Sequence, residues 1–404
     1  VNARPDPQPV NRFPMYTPEF AADPHAAYRW MRAEYGPLVP VELSPGIPAT
    51  LVVAHATAVQ ILHDPDRFPA DPRVWQQTVP GSCPIMPMIG YRPNALRSSG
   101  AAHARYRASN TDALARVPLH QLARTAQRIA RQAISRICRA GQADFLAEFA
   151  GPVVFESIST TCGAPAPLAQ RIGAAMAAMF EGINAEQANN ALMHALNELI
   201  ALKHAQPSDD IVSWLIGHHA ALTGEELAEQ LVTVFGAGYE PLTNLIANTQ
   251  LKILTDSRFM SDVSGGSLSV REALDEGLFT DPPMANYCLS YPPHPVVIDH
   301  QVLLAHQPVV ISMAACNNDP ALGKPEERLG NRAHLAFSAG PHACPAADIS
   351  IVIAQAALEE VLDTLPDIQL AVTTDQITWR PGPFHRALAS LPVRYTPSEP
   401  LPEH

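Results

Sequence analysis

Phe337-Ser338-Ala339-Gly340-Pro341-His342-Ala343-Cys344-Pro345-Ala346-Ala347-Asp348 is the stretch on which the fold turns. Pro345 suits a first helical position because no amide hydrogen is needed there, and the alanine-rich run to Leu362 keeps helical apolar spacing until Pro366. Cys344 is therefore expected at a helix N-terminus. Free amide donors and the positive end of the helix dipole both favour a negative sulfur, so this thiol is expected to ionise more readily than an ordinary cysteine. Upstream, Gly340 and Pro341 form a sharp turn, and His342 can donate a hydrogen bond to an anion beside the sulfur. A thiolate so placed is a metal ligand or a nucleophile.

The run resembles the cysteine-ligand loop of the cytochrome P-450 superfamily, Phe-x-x-Gly-x-His/Arg-x-Cys-x-Gly. Phe337, Gly340, His342 and Cys344 are in register, and Ala346 stands where the last glycine would be. The resemblance implies haem b as cofactor, with Cys344 as the axial thiolate on iron and Phe337, Gly340 and His342 in the loop that holds it. It also implies a mainly α single-domain fold with small β-sheets.

Working outward, Thr223-Gly224-Glu225-Glu226 is a capping box that opens the longest helix, running to about Leu254. Gly236 and Gly238 remove side-chain bulk so that something flat can approach. Pro241 has no N–H for the Ala237 carbonyl and is expected to open the helix there. Glu240 in an apolar surround is costly unless it is used. The stretch resembles the family's oxygen-binding groove, Ala/Gly-Gly-x-Glu/Asp-Thr, which implies catalytic roles for Ala237, Gly238, Glu240 and Pro241. Pro241 takes the place of the usual alcohol, and Thr243 is out of register to replace it.

His103 and Arg107 lie four residues apart, on one face of a helix, and can grip one anion together. They match the family's His-x-x-x-Arg, which implies binding to haem propionates. Glu272-Ala273-Leu274-Asp275 falls at the family's Glu-x-x-Arg with Asp275 in the arginine's place, an arrangement expected to set like charges one turn apart. Ser290 sits roughly where many relatives carry a propionate-binding arginine, so anchoring is expected to lean on His103, Arg107 and His342.

The segment from Asp71 to Gly100 is loop-like but apolar, with Trp75, Ile85, Met86, Met88, Ile89 and Tyr91 among prolines and glycines. Methionine-rich loops can line adaptable pockets, and core packing is the alternative. The resemblance implies that Ile85, Met86 and Met88 line the substrate pocket. It adds Met284 and Asn286 from the strand that passes the haem, and Phe384 at the tip of the C-terminal hairpin. Helices between Pro167 and His204, with a polar bend around Asn184 to Asn190, are expected to form a lid. Val39 to Leu43 and Thr50 to Val53 read as strands, and Leu119 to Arg139 as an amphipathic helix with solvated arginines.

The 404 residues are 47% hydrophobic, with material for a large core, and 40 scattered prolines mark many turns rather than one linker. A net charge of −12 with dispersed basic residues argues against a nucleic-acid partner. Six cysteines without a C-x-x-C pair suggest neither a zinc site nor a disulfide scaffold and fit the reducing cytoplasm. No apolar run of about 18 residues exists, so no membrane span is expected. One haem-thiolate domain is expected over residues 1–404, with tails at 1–14 and 397–404. The family implies a monomer that takes electrons from a ferredoxin-type donor and activates oxygen. The outcome would be hydroxylation, or C–C or C–N coupling, of a small organic, secondary-metabolite substrate. The alternative is a non-catalytic haem-binding or assembly protein of the same fold.

Overall fold

The computed structural model describes residues 11–180, 185–256, 269–323 and 331–402. Its frame is helical. Leu119–Ile137 buries Leu122, Ala126, Ile129, Ala133 and Ile137 along one stripe, which packs on the helix Ala347–Thr364 that follows the cysteine. Gly141, at φ +70°, follows its end. Arg124, Arg128 and Arg136 on its outer face are exposed as expected. Arg131 is not simply solvated: it pairs with Glu360 of the cysteine helix at 2.8 Å.

The long helix, Gly224–Thr255, starts at the expected box, in which Thr223 and Glu226 cap each other. It packs against Gly151–Thr161, Ala185–Ala205, Val270–Thr280 and the cysteine helix. It runs unbroken through Pro241, so the expected opening does not interrupt it.

The strands are β1 (Phe13–Pro14), β2 (Leu38–Ser44), β3 (Ile47–Val52), β4 (Gln142–Asp144), β5 (Asn286–Ser290), β6 (Val296–Ile298), β7 (Gln301–Leu303), β8 (Val309–Ser312), β9 (Gln369–Leu370) and β10 (Pro392–Arg394). The largest sheet has the order β1-β2-β3-β8-β5. β2 and β3 form an antiparallel hairpin from Leu38↔Val52 to Ser44↔Ile47, turned at Gly46, and β8 joins β3 in parallel. A three-stranded sheet, β4-β10-β9, and the β6-β7 hairpin are the other sheets among the described residues.

Both expected tails are shorter than the sequence suggests. Phe13 and Pro14 pair with Val41 and Glu42 in the main sheet. At the other end, the Ser398 amide donates to the Cys138 carbonyl and the Leu401 amide to Ser135 Oγ. Of the polar bend expected around Asn184 to Asn190, residues 185–190 are helical, and Asn184 itself lies outside the described residues.

Candidate active site

The cysteine loop closes through a hydrogen bond from the Cys344 amide to the Phe337 carbonyl, 2.8 Å. Gly340 sits at φ +68°, and a Cβ there would overlap the Leu62 carbonyl oxygen at the end of the helix His55–Leu62. Glycine is thus required by both backbone conformation and close approach. Ala346, by contrast, has φ −108°, a value open to any residue, so the missing family glycine costs the loop nothing.

The helix begins at Ala347, and Pro345 lies in the turn before it rather than at the first helical position. Cys344 is half-buried and free. Burial pushes its thiol up; the Ala346 amide and Arg107 pull it down without offsetting that. The expected easy ionisation is therefore not a property of the protein alone, because the helix mouth is two residues further from the sulfur than the sequence implied. A coordinated cation would remove the proton outright.

Beside the sulfur, the structure gathers an arginine and two histidines. His103 and Arg107 come from the helix Gly100–Ala115, where Arg107 Nη2 donates to the Ala343 carbonyl of the cysteine loop. His342 stacks on His103 with ring centroids 3.9 Å apart. His103 Nε2 is buried with no hydrogen-bond partner. Burial, then Arg107, holds the His103 imidazole below its ordinary pKa. Burial, His103 and Arg107 lower His342 to about 4. Neither arginine nor histidine here has a carboxylate partner among the described residues, so the cluster is built for an anion that the chain does not supply.

On the long helix, Gly236, Tyr239, Glu240 and Pro241 keep partial exposure and Ala237 is exposed, although residues 227–231 and 242–247 flanking them are buried. A Cβ on Gly236 would meet open space; one on Gly238 would come within 3.0 Å of Ile158. Of the two glycines, Gly236 leaves room for a ligand, whereas Gly238 lets the helix Gly151–Thr161 pack close. Glu240 is not isolated in apolar surroundings as expected. Arg380 of the C-terminal segment donates to its Oε1, and Asn244 Nδ2 donates to the same oxygen at 3.3 Å.

No protein-family model matches the chain. Full-length relatives do. It is 28% identical over 392 residues to the cytochrome P450 monooxygenase PikC of Streptomyces venezuelae, covering 93% of this chain and 92% of that one. It is 26% identical over 397 residues to cytochrome P450 107B1 of Saccharopolyspora erythraea, covering 93% and 96%. The solved structure of CYP154C4 from Streptomyces sp. ATCC 11861 matches with a TM-score of 0.87 at 25% identity, covering 96% of this chain and 98% of that one. The chain belongs to the cytochrome P-450 superfamily.

As a P-450 it is a monooxygenase-type oxidoreductase with haem b as cofactor. The observed donors suit that group: a half-buried thiol beside a half-buried arginine and two histidines that lack an acid, and a long helix with partial exposure at Gly236 to Pro241. No helix among the described residues is long and apolar enough to cross a membrane.

Two P-450 expectations need correction. Asp275 does not sit unopposed beside Glu272. It is buried and accepts from Arg271 Nε at 2.9 Å and Arg332 Nε at 2.7 Å, so two arginines balance its charge. Glu272 instead caps its own helix with Ser269. Of the substrate residues, Ile85, Met86, Met88, Met284 and Phe384 do gather, but in one hydrophobic cluster against the sheet. Phe384 is 0% exposed and packs edge-on to Tyr287, so it fills the core rather than a pocket. Asn286 is buried and fully engaged, with its Nδ2 donating to the Pro383 carbonyl and its Oδ1 accepting from Tyr28. Sequence reasoning missed Arg380, Arg332 and Arg97, whose partners lie far along the chain.

Proposed function

We propose that this P-450 oxidises a largely apolar small organic substrate of the secondary-metabolite kind by hydroxylation. Cys344 would supply the thiolate that binds the haem iron, and His103, Arg107 and His342 would hold the haem carboxylates. Bound haem supplies reductive oxygen activation, assisted by electron donation from the thiolate. The observation that carries the reading is the acid-free cluster of His103, Arg107 and His342 around Cys344, which follows a Gly-Pro turn just ahead of a helix. Its test is the reduced CO complex of the purified protein, which should show the long-wavelength Soret band of thiolate ligation.

On the long helix, Glu240 Oε1 takes both donated hydrogen bonds, and no hydrogen bond to Oε2 is made among the described residues. Oε2 is the atom that holds a proton for relay through water, since Pro241 offers no hydroxyl. Electrons come from a separate ferredoxin-type donor, and six free cysteines suit a monomer working in the cytoplasm. The 2-hydroxy-5-methyl-1-naphthoate 7-hydroxylase of Streptomyces carzinostaticus and the mycinamicin IV hydroxylase/epoxidase of Micromonospora griseorubida, to which this chain is 25% and 27% identical, support the substrate class. Pro241 favours a second reading, oxidative C–C or C–N coupling without oxygen insertion. Product mass separates the two: a gain of one oxygen against a loss of two hydrogens.

A further inference from the structure

Arg97 lies in the apolar loop before the helix Gly100–Ala115, six residues ahead of His103 and outside the His-x-x-x-Arg pattern itself. Its Nη1 donates to the Gly90 carbonyl and its Nη2 to the Tyr287 hydroxyl at 3.1 Å, which in turn donates to the Met88 carbonyl. Its Nε is buried without a hydrogen-bond partner. Arg97 is half-buried and has no carboxylate partner among the described residues, although desolvating part of a guanidinium is costly without one.

The side chain lines a cavity of about 70 Å³ together with Tyr287, Ser290, His342 and Leu62. That volume suits a small polar group and a few waters rather than a ring system. Ser290 Oγ is also buried and without a partner. The cavity wall formed by His342 continues into the stacked His103, whose Nε2 is likewise unpartnered. His342 is tied to the same loop through the Ala95 carbonyl, two residues from Arg97. The cavity is thus lined by two residues with an unpartnered polar atom, Arg97 and Ser290, and His103, with a third, stacks behind its His342 wall.

We infer that Arg97 is a haem-carboxylate anchor of this chain, reaching from the loop into the place that Ser290, too short to do so, leaves open on β5. The assignment rests on the haem reading above. An arginine delivers a fork of donors matched to a carboxylate, and from either side of a cavity the guanidinium can occupy the same spot. Tyr287 and Gly90 then serve as its scaffold, and the loop is fixed by the cofactor it binds.

The test compares two cofactors in the holoenzyme. The rate of haem transfer to excess apomyoglobin is measured for wild type, Arg97→Ala and Arg97→Gln, each carrying haem or its iron porphyrin dimethyl ester. Arg97→Gln keeps a donor for the loop carbonyl, so it controls for loop collapse. With haem, both variants should release the cofactor about tenfold faster than wild type. With the ester, which has no carboxylate to grip, all three should release it at the same rate. Wild-type retention in Arg97→Gln would overturn the inference, and so would an equal acceleration with both cofactors, since either result makes Arg97 a loop tie only. Failure of the haem reading itself would show separately, as a wild-type protein lacking the thiolate CO band.

Discussion

Arg105 and Arg107 leave the same helix two residues apart and meet opposite circumstances. Arg105 forks onto Glu226, with Nη1 to Oε1 at 2.6 Å and Nη2 to Oε2 at 3.0 Å, while Tyr106 donates to Oε1 at 2.9 Å and Nε reaches the Ala220 carbonyl. Glu226 raises its pKa further. Arg107 has a backbone carbonyl and a thiol, and burial lowers its pKa. The first arginine completes a network that the chain contains. The second stands in one whose acid must come from outside, and that contrast separates cations that hold the fold from cations that hold a ligand.

Replacing the proposed iron ligand should have the largest effect. Cys344→His should abolish the long-wavelength Soret band of the reduced CO complex; an unchanged band would move the metal centre elsewhere. Next, Arg107→Ala should speed haem release about tenfold, read by apomyoglobin transfer, while leaving the urea midpoint of the haem-free protein nearly unchanged. Arg105→Ala should reverse that pattern, with haem retained as in the exposed control Arg128→Ala and stability lowered by about 1 kcal/mol. If the two variants behave alike, the two faces of the helix do not divide the labour.

Glu226 adds a pH signature to the fold side. Arg105, followed by the Thr223 amide and Tyr106, depresses its pKa from 4.5 to about 2 against an opposing cost of burial. The folded value lies below the unfolded one, so the stabilisation is full above pH 4.5 and fades as pH falls towards 2. The urea midpoint of Glu226→Gln should therefore trail wild type by a constant amount from pH 7 to 5, and the gap should narrow below 4.5. A gap that is constant down to pH 3 would show that the pair contributes by packing and capping alone.

What the sequence made legible was local. The turn at Gly340, the capping box at Thr223 and Glu226, and the four-residue spacing of His103 and Arg107 are each set by residues within one or two turns, and each stands where its pattern placed it. What it hid was the choice of distant partners. Asp275 reads as a broken motif until Arg332 arrives from 57 residues away, and Glu240 reads as an isolated acid until Arg380 arrives from 140. Arg97 meets Tyr287 across 190 residues. Phe384 and Asn286 failed for the same reason: their positions along the chain resemble pocket residues, but packing against Tyr287 and Tyr28 decides where they point.

The smallest expected effect concerns the long helix, where the same contrast is least settled by charge. Glu240 resembles Glu226 in having an arginine partner, yet it lies beside the exposed Ala237 and has one oxygen without a hydrogen bond among the described residues. If it carries the proton traffic through that oxygen, Pro241→Thr should add a second route by restoring a hydroxyl in the family's register. The fraction of electrons lost to peroxide should then fall by about twofold, an effect of well under 1 kcal/mol on the partitioning barrier. The same change returns an N–H to the helix interior, so thermal stability should rise with it. A rise in stability with no change in peroxide would make Pro241 a feature of helix geometry alone. A fall in peroxide that persists in Pro241→Thr/Glu240→Gln would transfer the proton role from Glu240 to the alcohol, and would return Glu240 to the class of acids that, like Glu226, serve the fold.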